Sequence, residues 1–262
     1  MNSSKSYHED GLVLLRGFLP GETSRRIASI AERVHAEWLE EQGEEAKRQD
    51  LVNSSKLTAS RYFPPELRAE RVDFFDALAN SVLFDLVTQL FGKQLYFHGT
   101  QMFFNPLGGR RRPYWHRDIQ YMGYDESRQK ALLGELRNLH IRIPLRPERN
   151  FMLVPGSHAR WDTDLERDVR LEQSGHASWE DLPSARSIDL QPTDVLIFSA
   201  HMLHRGTFEG NADRLSLDLM LGELHAQVPI DLDPDELPNP DELAKVLRPH
   251  WYERSFDVLR GT

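Results

Sequence analysis

Apolar residues in the N-terminal third of the chain recur at the spacing of amphipathic helices. Between residues 22 and 39 they share one helical face, which carries Ile27, Ile30, Ala31, Val34 and Trp38. A polar stretch over 40–50 follows, and a second helical region spans about 72–91. Its predicted inward-facing residues are Leu78, Val82, Leu86, Leu90 and Phe91. Gly92 stands where a helix C-terminal glycine is expected, so the pattern predicts that this helix ends there.

Short alternating or apolar runs replace this pattern from residue 95 onwards and predict β-strands. The runs are 95–105, 139–145, 151–154, 187–190, 194–198 and 215–221. Helices followed by a series of short strands predict an α+β fold, in which N-terminal helices buttress a double-stranded β-helix, the cupin-like jelly roll. Pro144 inside a predicted strand indicates a sheet edge or a bulge at that point.

The pattern predicts one domain over residues 1–262, because neither a repeat nor a linker divides the chain. Its predicted parts are a helical part over about 1–92, a jelly-roll core over about 93–222 and a C-terminal extension over about 223–262. Residues 229–240 of the extension are acidic and rich in proline, which predicts a surface excursion before a last helix near 240–246.

Composition narrows the chemistry of any metal site. The chain has a net charge of -9 and no cysteine, which excludes thiolate metal sites, iron–sulfur clusters and a cysteine nucleophile. The negative charge gives no general attraction to nucleic acid or to an anionic membrane. No apolar run approaches the ~20 residues of a membrane span, and the N-terminal stretch lacks the apolar core of a secretion signal. We therefore predict a cytoplasmic enzyme whose metal ligands are His, Asp or Glu.

Two His-x-Asp pairs occur in the chain, His8 with Asp10 and His116 with Asp118. Such a pair supplies two ligands from one strand end, because residues two apart on a strand point to the same face. Two histidines and one carboxylate on one face of a metal suit ferrous oxygenases. The first pair lies in a terminal segment, whereas the second follows a β-rich stretch and an aromatic lead-in. We therefore predict that His116 and Asp118 bind a metal and that His8 and Asp10 do not.

The third ligand is expected after a later buried strand, where the sequence offers both His201 and His204. Arg214 follows His204 by ten residues and opens another alternating strand, with Ser216 on the same strand face. An arginine can bind a carboxylate through two parallel hydrogen bonds, and a serine hydroxyl can add a third. These two residues suit the distal carboxylate of 2-oxoglutarate, whose keto acid end would chelate the iron.

The order of these motifs resembles that of the phytanoyl-CoA dioxygenase family of 2-oxoglutarate oxygenases. The resemblance covers residues 7 to about 221 and rests on several segments in the family's order. They are the N-terminal segment 7–18, the Leu-Phe-Gly end of the second helix at 90–92, Tyr-Trp-His-Arg-Asp at 114–118, Val-Pro-Gly-Ser-His at 154–158 and the distal region 194–217. One departure is Thr193 before Asp194, where the family often has glycine.

The resemblance implies that iron is bound by His116, Asp118 and His204, with Arg214 and Ser216 on 2-oxoglutarate. It implies hydroxylation of an unactivated C–H bond of a small molecule by O2, with release of succinate and CO2. The retained Asp118 disfavours the family's halogenases, in which a small residue replaces the aspartate. Desaturation, epimerisation and cyclisation use the same machinery and remain alternatives, as does a cupin-like metal-binding protein that does not use 2-oxoglutarate.

Alternation in the predicted strands and proximity to the iron motif nominate further residues of the pocket. His140 and Arg142 share the polar face of one strand, and we assign His140 to the cosubstrate. The candidates for substrate contact are Gln101, Phe103, Arg142, Arg117 and Met122. Trp115, Tyr121 and Tyr124 are candidates for the wall of the substrate cavity. The basic run 110–112 is a candidate for attracting an anionic substrate, with a solvated loop as the alternative.

Overall fold

Nine β-strands form two antiparallel sheets within residues 3–261, the part of the chain that the computed structural model describes. The strands are β1 Leu12–Leu15, β2 Asn53–Ser55, β3 Tyr96–Phe104, β4 Asn138–Pro144, β5 Glu148–Leu153, β6 Arg186–Leu190, β7 Val195–Ser199, β8 His204–Arg205 and β9 Leu215–Gly222. The larger sheet has the order β1-β7-β4-β9-β3-β2, and the smaller has the order β6-β5-β8. The predicted combination of helices with antiparallel sheets is confirmed, while β1, β2 and β8 were not predicted.

The helices of residues 3–261 lie before, between and after these strands. They are α1 Ser3–Asp10, α2 Gly21–Gln49, α3 Arg68–Leu78, α4 Ser81–Phe91, α5 Glu126–Leu132, α6 Asp164–Arg170, α7 Pro240–Leu243 and α8 His250–Arg260. Helix α2 buries all five residues of its predicted apolar face. It also continues through the polar stretch to Gln49, because those residues are good helix formers. Its C-cap is Asp50, which adopts a left-handed conformation.

The second predicted helix is two helices, because the chain breaks at residues 79–80. The side chain of Asn80 accepts a hydrogen bond from the backbone N–H of Leu83 and begins α4 as an N-cap. The break changes the phase of the inward-facing positions. Leu83, Val87 and Phe91 are buried in α4, whereas Val82 is 40% exposed, so its predicted burial was wrong. Gly92 is the C-cap, as predicted.

The two faces of β4 carry different chemistry. Leu139, Ile141 and Ile143 belong to the main hydrophobic core, which also contains the buried apolar residues of α2, α3 and α4. His140 and Arg142 point to the opposite face, which the alternation predicted. Strand β4 is hydrogen-bonded to both β7 and β9, so the expectation of an edge or a bulge at Pro144 was wrong. Pro144 is the last residue of a central strand, where few ladder bonds remain to be made.

Part of the C-terminal extension packs on the sheet and is buried there. Leu232, Glu236 and Leu237 are buried, so the predicted surface excursion over 229–240 is only partly correct: residues 229–231, 234–235 and 239–240 are exposed. The Oε2 atom of Glu236 accepts hydrogen bonds from the backbone N–H and the hydroxyl of Thr100, at 3.1 and 2.8 Å. The predicted last helix is shortened to α7, and the chain continues into α8, which the sequence pattern did not predict.

No single helix in residues 3–261 has the length and apolar character to cross a membrane. The bent pair Pro65–Leu78 and Ser81–Phe91 passes that test by length and composition, as the core helices of many proteins do.

Candidate metal centre

The structure brings together the side chains of His116, Asp118 and His204, as the sequence predicted for a metal site. A short antiparallel bridge joins His116 and His204, whose backbone N–H groups donate to each other's carbonyl at 3.1 and 3.0 Å. The backbone N–H of Asp118 donates to the carbonyl of Ala200 at 3.0 Å and places its carboxylate beside the two rings. One ligand atom from each residue lies within 4.8 Å of the other two. Their role as iron ligands stays a prediction.

Backbone carbonyls orient the two imidazole rings. The Nδ1 atom of His116 lies 3.2 Å from the carbonyl of Tyr114, and that of His204 lies 2.9 Å from the carbonyl of Met202. These contacts favour the tautomer with the proton on Nδ1, so that both Nε2 lone pairs face Asp118. Oδ1 of Asp118 is 3.8 Å from Nε2 of His116 and 3.7 Å from Nε2 of His204. Burial lowers the pKa of both histidines, which keeps them neutral and able to bind a cation.

The two rival histidine positions lie outside this cluster. His201 is buried, and its Nε2 atom is 3.0 Å from Oδ1 of Asn138 instead of facing Asp118. His8 and Asp10 belong to α1, where Asp10 pairs with Arg186. The structure therefore groups His204, and not His201, with the His116–Asp118 pair.

His140 holds the second oxygen of the Asp118 carboxylate. Its Nε2 atom lies 2.7 Å from Oδ2 of Asp118, and its Nδ1 atom lies 2.8 Å from Oδ2 of Asp218. Burial alone would lower the pKa of His140, but the two carboxylates outweigh it and raise the pKa to about 9. Burial would likewise raise the pKa of Asp118, but His140 and the two other histidines hold it well below its usual range. Both ring nitrogens of His140 have these carboxylates as partners, so neither is left for the cosubstrate, to which the sequence assigned this residue.

A line of buried ions continues from His140 to the predicted cosubstrate arginine. Asp218 lies 3.0 Å from Nε of Arg142, which in turn is 3.6 Å from Glu148. Glu148 accepts hydrogen bonds from Nε of Arg214 and from the hydroxyl of Ser216, both at 2.7 Å. Burial would raise the pKa of Glu148, but the charges of the two arginines keep it lowered. Asp118, Asp218 and Glu148 thus balance His140, Arg142 and Arg214 in charge.

The predicted partners of 2-oxoglutarate are unequally placed for that role. Arg214 lines the cavity beside the three-residue cluster, and its Nη1 atom donates to the carbonyl of Phe104 at 3.1 Å. Ser216 is fully buried behind it, with its hydroxyl on Glu148. Their contacts with the cosubstrate stay predictions, and Ser216 would act through Glu148.

The cavity has a volume of about 1150 Å³ and opens over the His116–Asp118–His204 cluster. It includes the predicted substrate residues Gln101, Phe103, Arg142 and Met122, together with Tyr121 and Tyr124. This volume is large enough for a small molecule beside 2-oxoglutarate. Part of the wall comes from the C-terminal extension, which supplies residues 228–229, 231–234 and 236.

Arg117 and Trp115 do not reach this cavity. The guanidinium of Arg117 is fully buried and donates to Asp162 at 2.7 Å and to the carbonyl of His201 at 2.7 Å. Trp115 is buried too, and its indole N–H donates to the carbonyl of Glu180. The sequence therefore wrongly assigned Arg117 to the substrate and Trp115 to the cavity wall, because a strand's alternation turns both side chains into the protein.

The basic run 110–112 lies at the surface beside the cavity. The carboxylate of Asp50 accepts hydrogen bonds from the backbone N–H groups of Arg110 and Arg111, so the run is an anchored loop. The guanidinium of Arg112 stacks on the ring of Trp179. Attraction of an anionic substrate to this run stays a prediction.

Asp218 and Glu148 were not predicted as site residues. Asp218 shares its strand face with Arg214 and Ser216, so alternation along β9 could have identified it. Glu148 begins β5 and reaches Arg214 because the preceding strand, β4, pairs with β9 in the larger sheet. No sequence spacing carries that signal.

Comparison with known proteins extends the resemblance in sequence. The sequence signature of the phytanoyl-CoA dioxygenase (PhyH) family matches residues 7–209. No curated protein sequence matches the chain.

Three solved structures illustrate the similarity in fold. The alpha-ketoglutarate-dependent epimerase SnoN from nogalamycin biosynthesis is 15% identical, with a TM-score of 0.56 over 91% of this chain and 86% of that one. The carbocyclase SnoK from the same biosynthesis is 17% identical, with a TM-score of 0.55 over 84% and 83%. EctD from S. alaskensis with bound Fe is 15% identical, with a TM-score of 0.54 over 86% and 77%. At such identities the likeness establishes the fold, whereas the family signature spans most of the sequence; the chain belongs to the phytanoyl-CoA dioxygenase family.

Proposed function

We propose that this protein is an Fe(II)- and 2-oxoglutarate-dependent dioxygenase that hydroxylates an unactivated C–H bond of a small molecule. The observation that carries the proposal is the convergence of His116, Asp118 and His204 in a cavity that Arg214 also lines. Two imidazoles and one carboxylate fit ferrous iron and leave one side of the metal for other ligands. Family membership supports the same cofactor pair.

The protein's own residues would prepare the metal and hold the cosubstrate. His140 fixes Oδ2 of Asp118 by a hydrogen bond, so that Oδ1 is presented between the two Nε2 atoms. Arg214 offers its Nη atoms to the distal carboxylate of 2-oxoglutarate. Bound iron, 2-oxoglutarate and O2 would supply the oxidising power, with succinate and CO2 as the co-products. Gln101, Phe103 and Met122 line the cavity where a substrate would lie.

We also propose an architecture and a cellular location for the enzyme. The two antiparallel sheets would be the two halves of a double-stranded β-helix, with α2, α3 and α4 as its buttress. The helical part, the core and the extension would form a single domain, and the enzyme would be cytoplasmic. The extension supports this assignment because Glu236 binds Thr100 of the core and Asp233 pairs with Lys56 of the helical part.

The test is formation of succinate from 2-oxoglutarate by the Fe(II) protein in air without substrate. We expect slow, iron-dependent succinate release from the wild type and its loss in His204→Ala. The matched control is His201→Ala, which removes a buried histidine three positions away that faces Asn138. Equal activity in all three proteins would contradict the assigned ligands, and no succinate from the wild type would contradict the function.

Epimerisation or ring closure is the second candidate reaction. Its support is that the structural neighbours include an epimerase and a carbocyclase that depend on alpha ketoglutarate. All these reactions begin at the same metal site, and the position of the substrate distinguishes them. Incorporation of labelled oxygen from O2 into the product would favour hydroxylation. An unlabelled product with an inverted stereocentre or a newly closed ring would favour the second candidate.

A further inference from the structure

Arg142 is a buried cation with no hydrogen bond from its guanidinium to any of residues 3–261. It is 2% exposed and lies on the cavity between the rings of Phe103 and Phe151, with Cζ 4.7 and 4.2 Å from their centroids. Its Nε atom forms an ion pair with Oδ1 of Asp218 at 3.0 Å, but neither of these two atoms makes a hydrogen bond. A buried guanidinium without hydrogen bonds is costly unless a ligand supplies acceptors.

Arg214, which is expected to bind the carboxylate, already uses part of its guanidinium for hydrogen bonds within the protein. Glu148 accepts a hydrogen bond from its Nε atom and another from the hydroxyl of Ser216, each at 2.7 Å. The carbonyl of Phe104 takes one proton of Nη1. Nη2 makes no hydrogen bond within the described chain, so Arg214 retains only the outer edge of its guanidinium for a ligand.

We propose that Arg142 and Arg214 together bind the distal carboxylate of 2-oxoglutarate, with Arg142 in the role that the sequence gave to Ser216. This inference rests on the proposed function. Both arginines line the same cavity, and one internal carboxylate, that of Glu148, lies against the Nε atoms of both, at 3.6 and 2.7 Å. The Nη atoms of the two guanidinium groups are therefore the donors left for a ligand.

The surrounding charges suit a dicarboxylate cosubstrate. Glu148 and Asp218 offset the charges of Arg142 and Arg214, so the arginines are tolerated in the interior before a ligand binds. Two positive charges with free donors then face the ligand, while the rings of Phe103 and Phe151 lie against the guanidinium of Arg142. A monocarboxylate 2-oxo acid would chelate iron in the same way but would leave this pair of donors unused.

The experiment compares two ligands that differ only in the distal carboxylate. 2-Oxoglutarate and 2-oxopentanoate have the same chain length, and each is titrated anaerobically into the Fe(II) protein by calorimetry. We expect Arg142→Met to weaken 2-oxoglutarate at least about tenfold, which corresponds to about 1.4 kcal/mol, and to leave 2-oxopentanoate unchanged. The substitution leaves no carboxylate without a partner. Asp218 retains its hydrogen bond with His140, and Glu148 retains those with Arg214 and Ser216.

Two further variants complete the test. Arg142→Lys keeps the charge and loses the planar fork, so we expect a smaller, severalfold loss of 2-oxoglutarate affinity, which also serves if Arg142→Met does not fold. Arg146→Met is the matched control, since Arg146 is a surface arginine paired with Glu32. We expect it to bind both ligands as the wild type does.

The outcomes separate this inference from the proposed function. Unchanged 2-oxoglutarate affinity in the Arg142 variants overturns the inference alone. Equal weakening of both 2-oxo acids also overturns it, because Arg142 would then support the fold or the metal end. A wild-type protein that binds neither 2-oxo acid overturns the proposed function together with the inference.

Discussion

Gly206 controls the position of the cosubstrate arginine without contributing any functional group. A Cβ atom at this position would lie 2.7 Å from Nη2 of Arg214 and 3.0 Å from its Cζ. The backbone of Gly206 is not in the left-handed region, so alanine is compatible with the chain itself. Gly206→Ala therefore tests the placement of Arg214 and not the conformation of the loop.

The expected size of the effect follows from the crowding. Ordinary contact begins at about 3.5 Å, so the guanidinium must move by roughly 0.8 Å. Arg214 is held by Glu148 at 2.7 Å and by the carbonyl of Phe104 at 3.1 Å, and such a shift misaligns both bonds. The same shift displaces Nη2, the donor that Arg214 retains for the ligand. A hydrogen bond to a charged group contributes about 1.5–3 kcal/mol, so loss of this bond should lower the affinity for 2-oxoglutarate about ten- to a hundredfold.

The assay is anaerobic calorimetry of 2-oxoglutarate with the Fe(II) protein, together with a metal titration. We expect weaker 2-oxoglutarate binding and unchanged iron affinity. The control is Gly43→Ala, the same chemical change inside α2, where a new Cβ meets no atom within 4 Å. It should bind 2-oxoglutarate normally and be more stable by about 0.5–1 kcal/mol. Normal 2-oxoglutarate affinity in Gly206→Ala would refute the reasoning.

Three other perturbations have expected outcomes. Arg214→Lys should weaken 2-oxoglutarate and spare iron, because the planar fork is lost; equal loss of iron in a metal titration would count against its role. Glu148→Gln removes the negative charge that offsets Arg142 and Arg214, so denaturant unfolding should show a free energy of unfolding lower by about 3 kcal/mol. Glu209→Gln at the surface should show no such decrease. Burial raises the pKa of Glu236 from 4.5 to about 7, so the wild type should lose up to roughly 3 kcal/mol of stability as pH rises from 4.5 to 7. Glu236→Gln should abolish that loss when the free energies of unfolding at pH 5 and pH 8 are compared. The same pH dependence in both proteins would contradict the prediction.

The parts of the fold that the sequence predicted are those with a simple period. The apolar face of α2 and the alternation of β4 and β9 were read from spacing alone. The break between α3 and α4 was missed because it depends on one capping side chain, that of Asn80, within an otherwise helical pattern. The burial of Leu232, Glu236 and Leu237 was missed because polar partners of this segment, such as Thr100 and Arg71, lie far away in the chain.

The candidate site shows the same division between local and distant information. The three proposed ligands and Arg214 were identified from motif order, since each motif is short and local. The positions of Arg117 and Arg142 were not separable by residue type, because both are arginines beside a motif or strand of the site. Burial on Asp162 removes the first from the cavity, while the rings of Phe103 and Phe151 hold the second on it. Only the tertiary structure supplies that distinction.

The most direct test of the proposed chemistry is the visible spectrum of the anaerobic protein. Adding 2-oxoglutarate to the Fe(II) form should produce a weak charge-transfer band, because the keto acid would chelate an iron held by His116, Asp118 and His204. The band should be absent in His204→Ala and present in His201→Ala. A wild-type protein that binds Fe(II) but develops no band with 2-oxoglutarate would contradict the central claim.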